Sequence, residues 1–186
     1  MNRGFTLIEM VVVVGIIAVV SSVTLTNYAK FGGQILLRNL AYDMALTIRQ
    51  AQVYGISART FFDAPFAAGH GVSFDLSVDT TSFRLYTDTN EDAFYSLAGT
   101  ELIELYTIGR GYRIRQICVS NNSSEYCDAT KLDILFKRPE PDAIIRGDRG
   151  SGFGRYNRAR IIVISPQGSE LAVLVEASGQ ISIQRI

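Results

Sequence analysis

The segment Gly4-Phe5-Thr6-Leu7-Ile8-Glu9 decides how this chain is organised. It follows a short leader with one basic residue, Arg3, and it opens an apolar stretch that carries no ionisable side chain over residues 10–20. A helix over residues 5–23 would span roughly 28 Å at 1.5 Å per residue, about the thickness of the hydrocarbon core of a bilayer. The segment therefore predicts a membrane-spanning helix.

Two kinds of N-terminus begin in this way. A secretory signal peptide also has a basic start and an apolar region, and residues 18–22 could form its cleavage region. However, the apolar run is long for that role, and Glu9 is unusual near its start. A carboxylate in a transmembrane segment costs about 2.5–3.5 kcal/mol on insertion scales, so it indicates a specific partner. The N-terminal amine of a neighbouring chain would be such a partner if the leader were cut between Gly4 and Phe5.

The same segment resembles the class III leader junction of type IV pilins and type II secretion pseudopilins. The resemblance implies that a prepilin peptidase on the cytoplasmic side cuts after Gly4 and N-methylates Phe5, and that Glu9 registers subunits in a helical filament. It also implies a single-pass protein of the inner membrane, with its globular domain in the periplasm or otherwise outside the membrane. Such a subunit then joins other pilins in a pilus or pseudopilus through its N-terminal helix.

The chain divides into a leader at residues 1–4, an N-terminal stalk helix at 5–58 and a globular β-rich domain at 59–186. The transmembrane part of the stalk is predicted at about residues 5–25. Its second half is amphipathic because apolar and small residues recur at helical spacing. That stripe, predicted to lie on a sheet, comprises Leu37, Leu40, Ala41, Met44, Ile48, Ala51 and Gly55. Between the halves, Gly32-Gly33 predicts a bend or a melted turn, since each glycine weakens a helix by about 1 kcal/mol.

After the stalk, the pattern changes to short alternating runs separated by turn-forming residues, which is typical of strands. The predicted strands are residues 71–76, 82–87, 102–108, 112–119, 132–137, 160–165, 171–176 and 180–186. Strands packed against one long helix predict an α+β fold with an antiparallel sheet. Within the family that the leader resembles, this pattern and length are most similar to the H-type minor pseudopilins and the FimT-like minor pilins.

Cys118 and Cys127 are separated by polar turn formers, so residues 119–126 are predicted to form a loop between two strands. Two cysteines without a nearby histidine offer too few ligands for zinc. Because an exported domain would meet oxidising conditions, we favour a disulfide over two free thiols.

No motif in the sequence indicates an enzyme or a cofactor. His70, the single histidine, is predicted to be a loop residue, because a second histidine that could serve as base or ligand is absent. Asp88, Asn90 and Asp92 place oxygen atoms at alternate positions, as calcium loops do, but the glycine and glutamate of an EF-hand are missing. A solvated acidic turn is therefore favoured over a metal site.

The charges of the whole chain balance, with 18 Lys and Arg against 18 Asp and Glu, so net charge decides nothing about nucleic acid. Residues 137–160 are locally basic, and aromatic residues are interleaved on what is predicted to be a glycine-rich loop. Arginines and aromatics of this kind can contact phosphates and stack on bases. Charges on a surface hairpin can equally pair with neighbouring subunits, and we favour that role over DNA. The candidate DNA contacts are Arg146, Arg149, Arg155, Arg158 and Arg160.

Overall fold

A computed structural model describes residues 4–57, 68–96, 101–121, 124–150 and 152–186. For residues 26–31 it describes the backbone alone. Its first element is helix α1, Leu7–Ile56. The part of α1 that is long and apolar enough to cross a membrane is Leu7–Leu25, and none of it is buried against the rest of the chain. The second half of α1 carries the predicted stripe, and Ala41, Met44, Ile48 and Ala51 on it are completely buried.

The helix runs through Gly32 and Gly33 without interruption, so the melted turn predicted there is wrong. Tertiary contacts explain why glycine is present without breaking the helix. The carbonyl oxygen of Gly33 accepts a hydrogen bond from Tyr112 Oη at 3.0 Å. A Cβ at Gly33 would lie 2.8 Å from Oε1 of Gln167, so the missing side chain lets the domain approach the helix closely.

The domain contains eleven strands within the described residues, all paired antiparallel. They are β1 Gly69–Asp75, β2 Ser82–Asp88, β3 Leu102–Thr107, β4 Arg113–Asn121, β5 Ser124–Ala129, β6 Lys131–Phe136, β7 Ala143–Asp148, β8 Phe153–Tyr156, β9 Arg158–Ile164, β10 Glu170–Glu176 and β11 Ile181–Arg185. A six-stranded sheet has the order β3-β2-β1-β6-β7-β8, and a five-stranded sheet has the order β11-β10-β9-β4-β5.

One hydrophobic core joins α1 to both sheets. The six-stranded sheet contributes Phe74 and Ile134, the five-stranded sheet contributes Ile117 and Ile161, and all four are completely buried. Helix α1 packs against β1 and β6 of the first sheet and against β10 and β11 of the second. The predicted α+β class, with a long N-terminal helix on an antiparallel domain, is confirmed.

Three strands lie where loops were predicted. The described residues of the predicted loop 119–126 are strand, because β4 continues to Asn121 and β5 begins at Ser124. Residues 137–160 contain β7, β8 and the start of β9 instead of one glycine-rich loop. His70 is also misassigned as a loop residue, since it is a buried member of β1. The predicted domain boundary between residues 58 and 59 lies outside the described residues.

Candidate processing and assembly site

The predicted cleavage junction lies just before α1. Gly4, Phe5 and Thr6 are not helical, and the Phe5 side chain is 78% exposed. Thr6 has extended backbone angles, with φ −79° and ψ 153°, and is the N-cap of the helix. The bond between Gly4 and Phe5 is therefore in accessible, non-helical backbone that a peptidase can bind. Leader residues 1–3 lie outside the described residues.

Thr6 and Glu9 form a reciprocal capping box at the start of α1. The Thr6 hydroxyl accepts a hydrogen bond from the Glu9 amide at 3.4 Å, and the Glu9 carboxylate accepts one from the Thr6 amide at 3.3 Å. This role was not among the predictions from the sequence, although Thr followed three residues later by Glu is its usual signal. Glu9 thus has a local function in starting the helix besides its predicted role in the filament.

The environment of Glu9 leaves it available to a partner. Its side chain is exposed, and its bonds to Thr6 are long for hydrogen bonds to a carboxylate. A carboxylate in the first turn is favoured by the helix dipole, but this effect is weaker than a direct pair with a cation. An amine from a neighbouring subunit could therefore bind Glu9 without breaking a strong internal bond.

The two cysteines are joined, with their sulfurs 2.01 Å apart. Cys118 lies on β4 and Cys127 on β5, so the disulfide links two adjacent strands at the edge of the five-stranded sheet. Cys118 is buried in a small apolar cluster with Ile162 and Ala172. Glu125 lies close to both sulfurs, but sulfurs bonded to each other are not available as thiolate ligands.

The five candidate DNA-contacting arginines are divided between two sheets. Arg146 on β7 and Arg155 on β8 are cross-strand partners in the six-stranded sheet. Arg158 and Arg160 lie on β9 of the five-stranded sheet, and Arg149 follows the end of β7. The structure therefore does not gather them into the single basic loop that the sequence predicted.

Three of these arginines form ion pairs with carboxylates. Arg149 holds Asp128 through two hydrogen bonds, of 2.6 and 2.9 Å, and its guanidinium lies 3.8 Å from the centre of the Tyr126 ring. These bonds lower the pKa of Asp128 and raise the pKa of Arg149.

The other two pairs are Arg158 with Glu176 at 2.9 Å and Arg160 with Glu125 at 2.6 Å. Much of the positive charge of the group is therefore neutralised within the domain.

Glycines in this region serve packing and turn geometry. Gly150 and Gly152 have φ of 87° and 104°, a conformation that other residues rarely adopt, and they form the turn between β7 and β8. Gly154 lies under the Tyr156 ring, where a Cβ would be 3.0 Å from the phenol oxygen. Turn geometry and close packing therefore account for Gly150, Gly152 and Gly154, and a phosphate-binding loop is not needed to explain them.

The acidic segment after β2 folds as a turn that uses its own oxygens. The Asp88 carboxylate accepts hydrogen bonds from the amides of Asp92 and Ala93, and Asp92 accepts one from Phe94. Asn90 accepts a further bond from the Asp92 amide. Burial raises the pKa of Asp88 against the opposing effect of the bond from Ala93. Among the described residues, no trio of His, Cys, Asp or Glu ligand atoms within 4.8 Å of one another includes Asp88 or Asp92.

Several buried ionisable groups have shifted pKa values, and two of them, Asp133 and His70, lie on strands beside each other in the six-stranded sheet. Burial raises the pKa of Asp133 on β6 to about 7, although Ser73 and the backbone of Tyr95 donate hydrogen bonds to it. Burial, followed by the nearby positive charge of Arg138, lowers the pKa of His70 to about 4. Both residues lie within strands, and the His70 ring packs edge-to-face on Tyr54 at 5.9 Å.

Comparison with known families identifies the N-terminus. Residues 1–25 match the family described as the prokaryotic N-terminal methylation motif. This match agrees with the resemblance of the leader junction to that of type IV pilins and pseudopilins, and the exposed apolar helix Leu7–Leu25 coincides with the matched region. The match covers the leader and the membrane helix and does not extend into the β-rich domain. Neither curated proteins nor solved structures gave a match.

Proposed function

We propose that this chain is a minor pilin or pseudopilin, a structural subunit that prepilin peptidase cuts between Gly4 and Phe5. It would assemble into a type IV pilus or a type II secretion pseudopilus. The observation that carries the proposal is the methylation motif at residues 1–25, in which the Gly4–Phe5 bond lies on non-helical backbone just before an apolar helix that is not buried against the described part of the domain.

The exposed faces of α1 support a subunit that packs against copies or relatives of itself. The span Leu7–Leu25 has no buried part, so it needs a bilayer before assembly and other helices afterwards. The apolar exposure continues along the second half on the side opposite the core stripe. Ile35, Tyr42, Leu46 and Val53 on that side are each at least 46% exposed. The assembling surface would therefore include part of the helix that lies on the domain.

The proposed location is the inner membrane, with the globular domain on the side opposite the peptidase. The Cys118–Cys127 bond supports an oxidising compartment such as the periplasm, because disulfides persist there and are rare in the cytosol. The finer proposal is an H-type pseudopilin or FimT-like pilin, supported by chain length and the succession of short strands that ends in the β9–β10–β11 meander. A structural role also fits the lack of any catalytic motif in the sequence.

Glu9→Val tests the assembly role, with Thr6→Val as its matched control. Both substitutions remove the capping box, but only Glu9→Val removes the charge that would pair with a neighbouring amine. We expect both variants to enter the membrane, Thr6→Val to reach fibres, and Glu9→Val to be lost from them or enter out of register. The measurement is the amount of each variant in purified fibres relative to the membrane fraction. Equal loss of both variants would mean that helix initiation, and not charge pairing, is the function of Glu9.

DNA binding in a DNA-uptake system is the alternative proposal, and the structure favours it less. Its strongest feature is the pair Arg146 and Arg155, which face each other across β7 and β8. The ion pairs of the other candidate arginines predict weak binding with a shallow dependence on salt, since few phosphates could be neutralised. Titration of duplex DNA against the detergent-solubilised chain at rising salt tests this. Tight, steeply salt-dependent binding that Arg155→Gln weakens would favour the DNA receptor.

A further inference from the structure

The continuous helix α1 fixes which end of the domain faces the membrane. From Leu25, where the apolar span ends, to Gly33 the helix rises about 12 Å. At that level Tyr112 donates its hydrogen bond to Gly33, and Gln167 packs against the same glycine. The loop before β4 and the turn between β9 and β10 therefore lie at the membrane-proximal end, which we call the basal face.

Arginines are concentrated on the basal face. Arg110 and Arg113 flank Tyr112, Arg38 lies one turn beyond Gly33 on α1, and Arg185 ends β11 beside the first residues of β10. All four are exposed, and none forms an ion pair with another described residue.

The acidic residues nearby are largely engaged. Glu170 pairs with Arg115, and Asp75 pairs with Lys131 at 3.3 Å. Asp79 accepts hydrogen bonds from the amide and hydroxyl of Thr81, and the adjoining Thr80 bonds to β4 through the Ile114 amide. Asp79 and Asp148 are bonded only to neutral groups and keep their charges, but they are outnumbered by the four unpaired arginines, so the described groups of this end still carry a net positive charge.

A partly apolar groove lies beside two of these arginines, with Glu170 also in its wall. It has a volume of about 760 Å³ and is lined by Ile35 and Leu37 of α1, Leu171 of β10 and Ile186, with Arg38 and Arg185 also in its wall. Ile35 and Ile186 are 46% and 60% exposed. The groove begins about 15 Å along α1 from Leu25, above the level of Gly33, so Arg110 and Arg113 beside Tyr112 are the arginines nearer to the bilayer.

We infer that the basal face docks on anionic phospholipids of the membrane that α1 spans, with its unpaired arginines facing the lipid phosphates. The headgroup zone extends roughly 5–7 Å beyond the hydrocarbon core, and its negative potential decays over about 8 Å at physiological salt. The level of Gly33 falls within that reach. Side chains of a helix tilt toward its N-terminus, and arginine extends along apolar surface toward polar groups, so the guanidinium of Arg38 lies closer to the bilayer than its backbone does. The inference rests on membrane insertion of α1, a part of the proposed function.

A tryptophan reporter can test this, because the chain has no tryptophan of its own. Val78 is suitable since it is 62% exposed on the turn that precedes β2, next to the start of β4. Full-length Val78→Trp protein is reconstituted into phosphatidylcholine vesicles, or into vesicles with about 30% phosphatidylglycerol, both carrying a headgroup quencher. We expect stronger quenching with phosphatidylglycerol at low salt, and its loss at high salt.

The charge variants decide between docking and general attraction. Each arginine near an anionic surface contributes roughly fivefold to the docked-to-free ratio, so the triple variant R38Q/R110Q/R113Q should abolish the effect of phosphatidylglycerol. The control variant K137Q/R155Q/R158Q removes the same charge elsewhere and should retain the effect. Equal quenching in both vesicle types, equal loss in both triple variants, or displacement by inorganic phosphate at constant ionic strength would overturn the inference. Failure of the protein to float with vesicles after an alkaline wash would instead refute membrane insertion itself.

Discussion

Three glycines of α1 provide a graded test of how the stalk packs on the domain. A Cβ at Gly32 would meet no described atom within 4 Å, and one at Gly33 would meet the flexible end of Gln167. A Cβ at Gly55 would lie 2.3 Å from the carbonyl oxygen of Phe136, a backbone atom of β6. Alanine at the three positions should therefore change stability in three different ways.

The magnitudes follow from helix propensity and contact distance. Alanine gains about 1 kcal/mol over glycine in a helix interior, so Gly32→Ala should stabilise the chain by about that amount. At Gly33 the same gain is offset by displacement of the Gln167 side chain, and the net change should be near zero. At Gly55 the added methyl group forces helix α1 and β6 apart by about 1 Å, which costs about 3 kcal/mol. This cost exceeds the gain in helix propensity, so the free energy of unfolding should fall by about 2 kcal/mol.

Urea unfolding of the full-length variants in detergent, followed by tyrosine fluorescence, measures these differences. The expected order of stability is Gly32→Ala, then wild type and Gly33→Ala, then Gly55→Ala. A destabilised Gly32→Ala would mean that the helix is interrupted there, as the sequence alone suggested. A fully stable Gly55→Ala would refute the close packing of α1 on β6.

Two further predictions concern the domain. Replacing Cys118 and Cys127 together by serine should cost about 2–4 kcal/mol of unfolding free energy, and non-reducing peptide mapping should find the two cysteines linked in wild type; free thiols in envelope protein would contradict the bond. The pKa of Asp133 is raised from 3.8 to about 7 in the folded protein, so folding favours the protonated carboxyl. Its contribution to stability is therefore fully present below pH 3.8 and is lost as the pH rises to about 7. Asp133→Asn should therefore gain stability relative to wild type between pH 4 and 8, by up to about 4 kcal/mol in unfolding experiments. His70 has the opposite effect on the pH dependence of stability. Because its folded pKa is lowered to about 4, its contribution to stability is gained as pH rises from about 4 to 6.5. Since His70 is present in both proteins, the difference in unfolding free energy between Asp133→Asn and wild type isolates the effect of Asp133. A difference that does not change with pH would refute the buried carboxyl.

Local patterns predicted the elements that bury one regular face. The stripe through Met44 and Ile48 and the apolar run of β9 specify their own burial, whichever partner covers them. β5 could not be found in this way, because five of its six residues are exposed. It is defined by pairing with β4 and by the disulfide, both of which depend on contacts that the local sequence does not encode. β7 alternates buried and half-buried residues, but its glycine and arginine content favoured a loop prediction.

The N-terminal site was predictable because its chemistry is contiguous in sequence. The roles proposed for Gly4, Phe5 and Glu9 depend on spacing along one helix start, and the capping role of Thr6 was not predicted. The arginine group shows the opposite case. Asp128 and Glu125, which neutralise Arg149 and Arg160, both lie on β5. The Arg160–Glu125 pair depends on the strand order of the five-stranded sheet, and the Arg149–Asp128 pair depends on how the two sheets are arranged.

The N-terminus of the mature protein tests the central claim most directly. Mass spectrometry of the chain from its native membrane should find that it begins at Phe5 and carries one methyl group on the α-amine. Replacing Gly4 by a bulkier residue should leave the precursor uncut. A mature chain that begins near Val23 would show a secretory signal peptide and would contradict the assignment to a prepilin-processed fibre subunit.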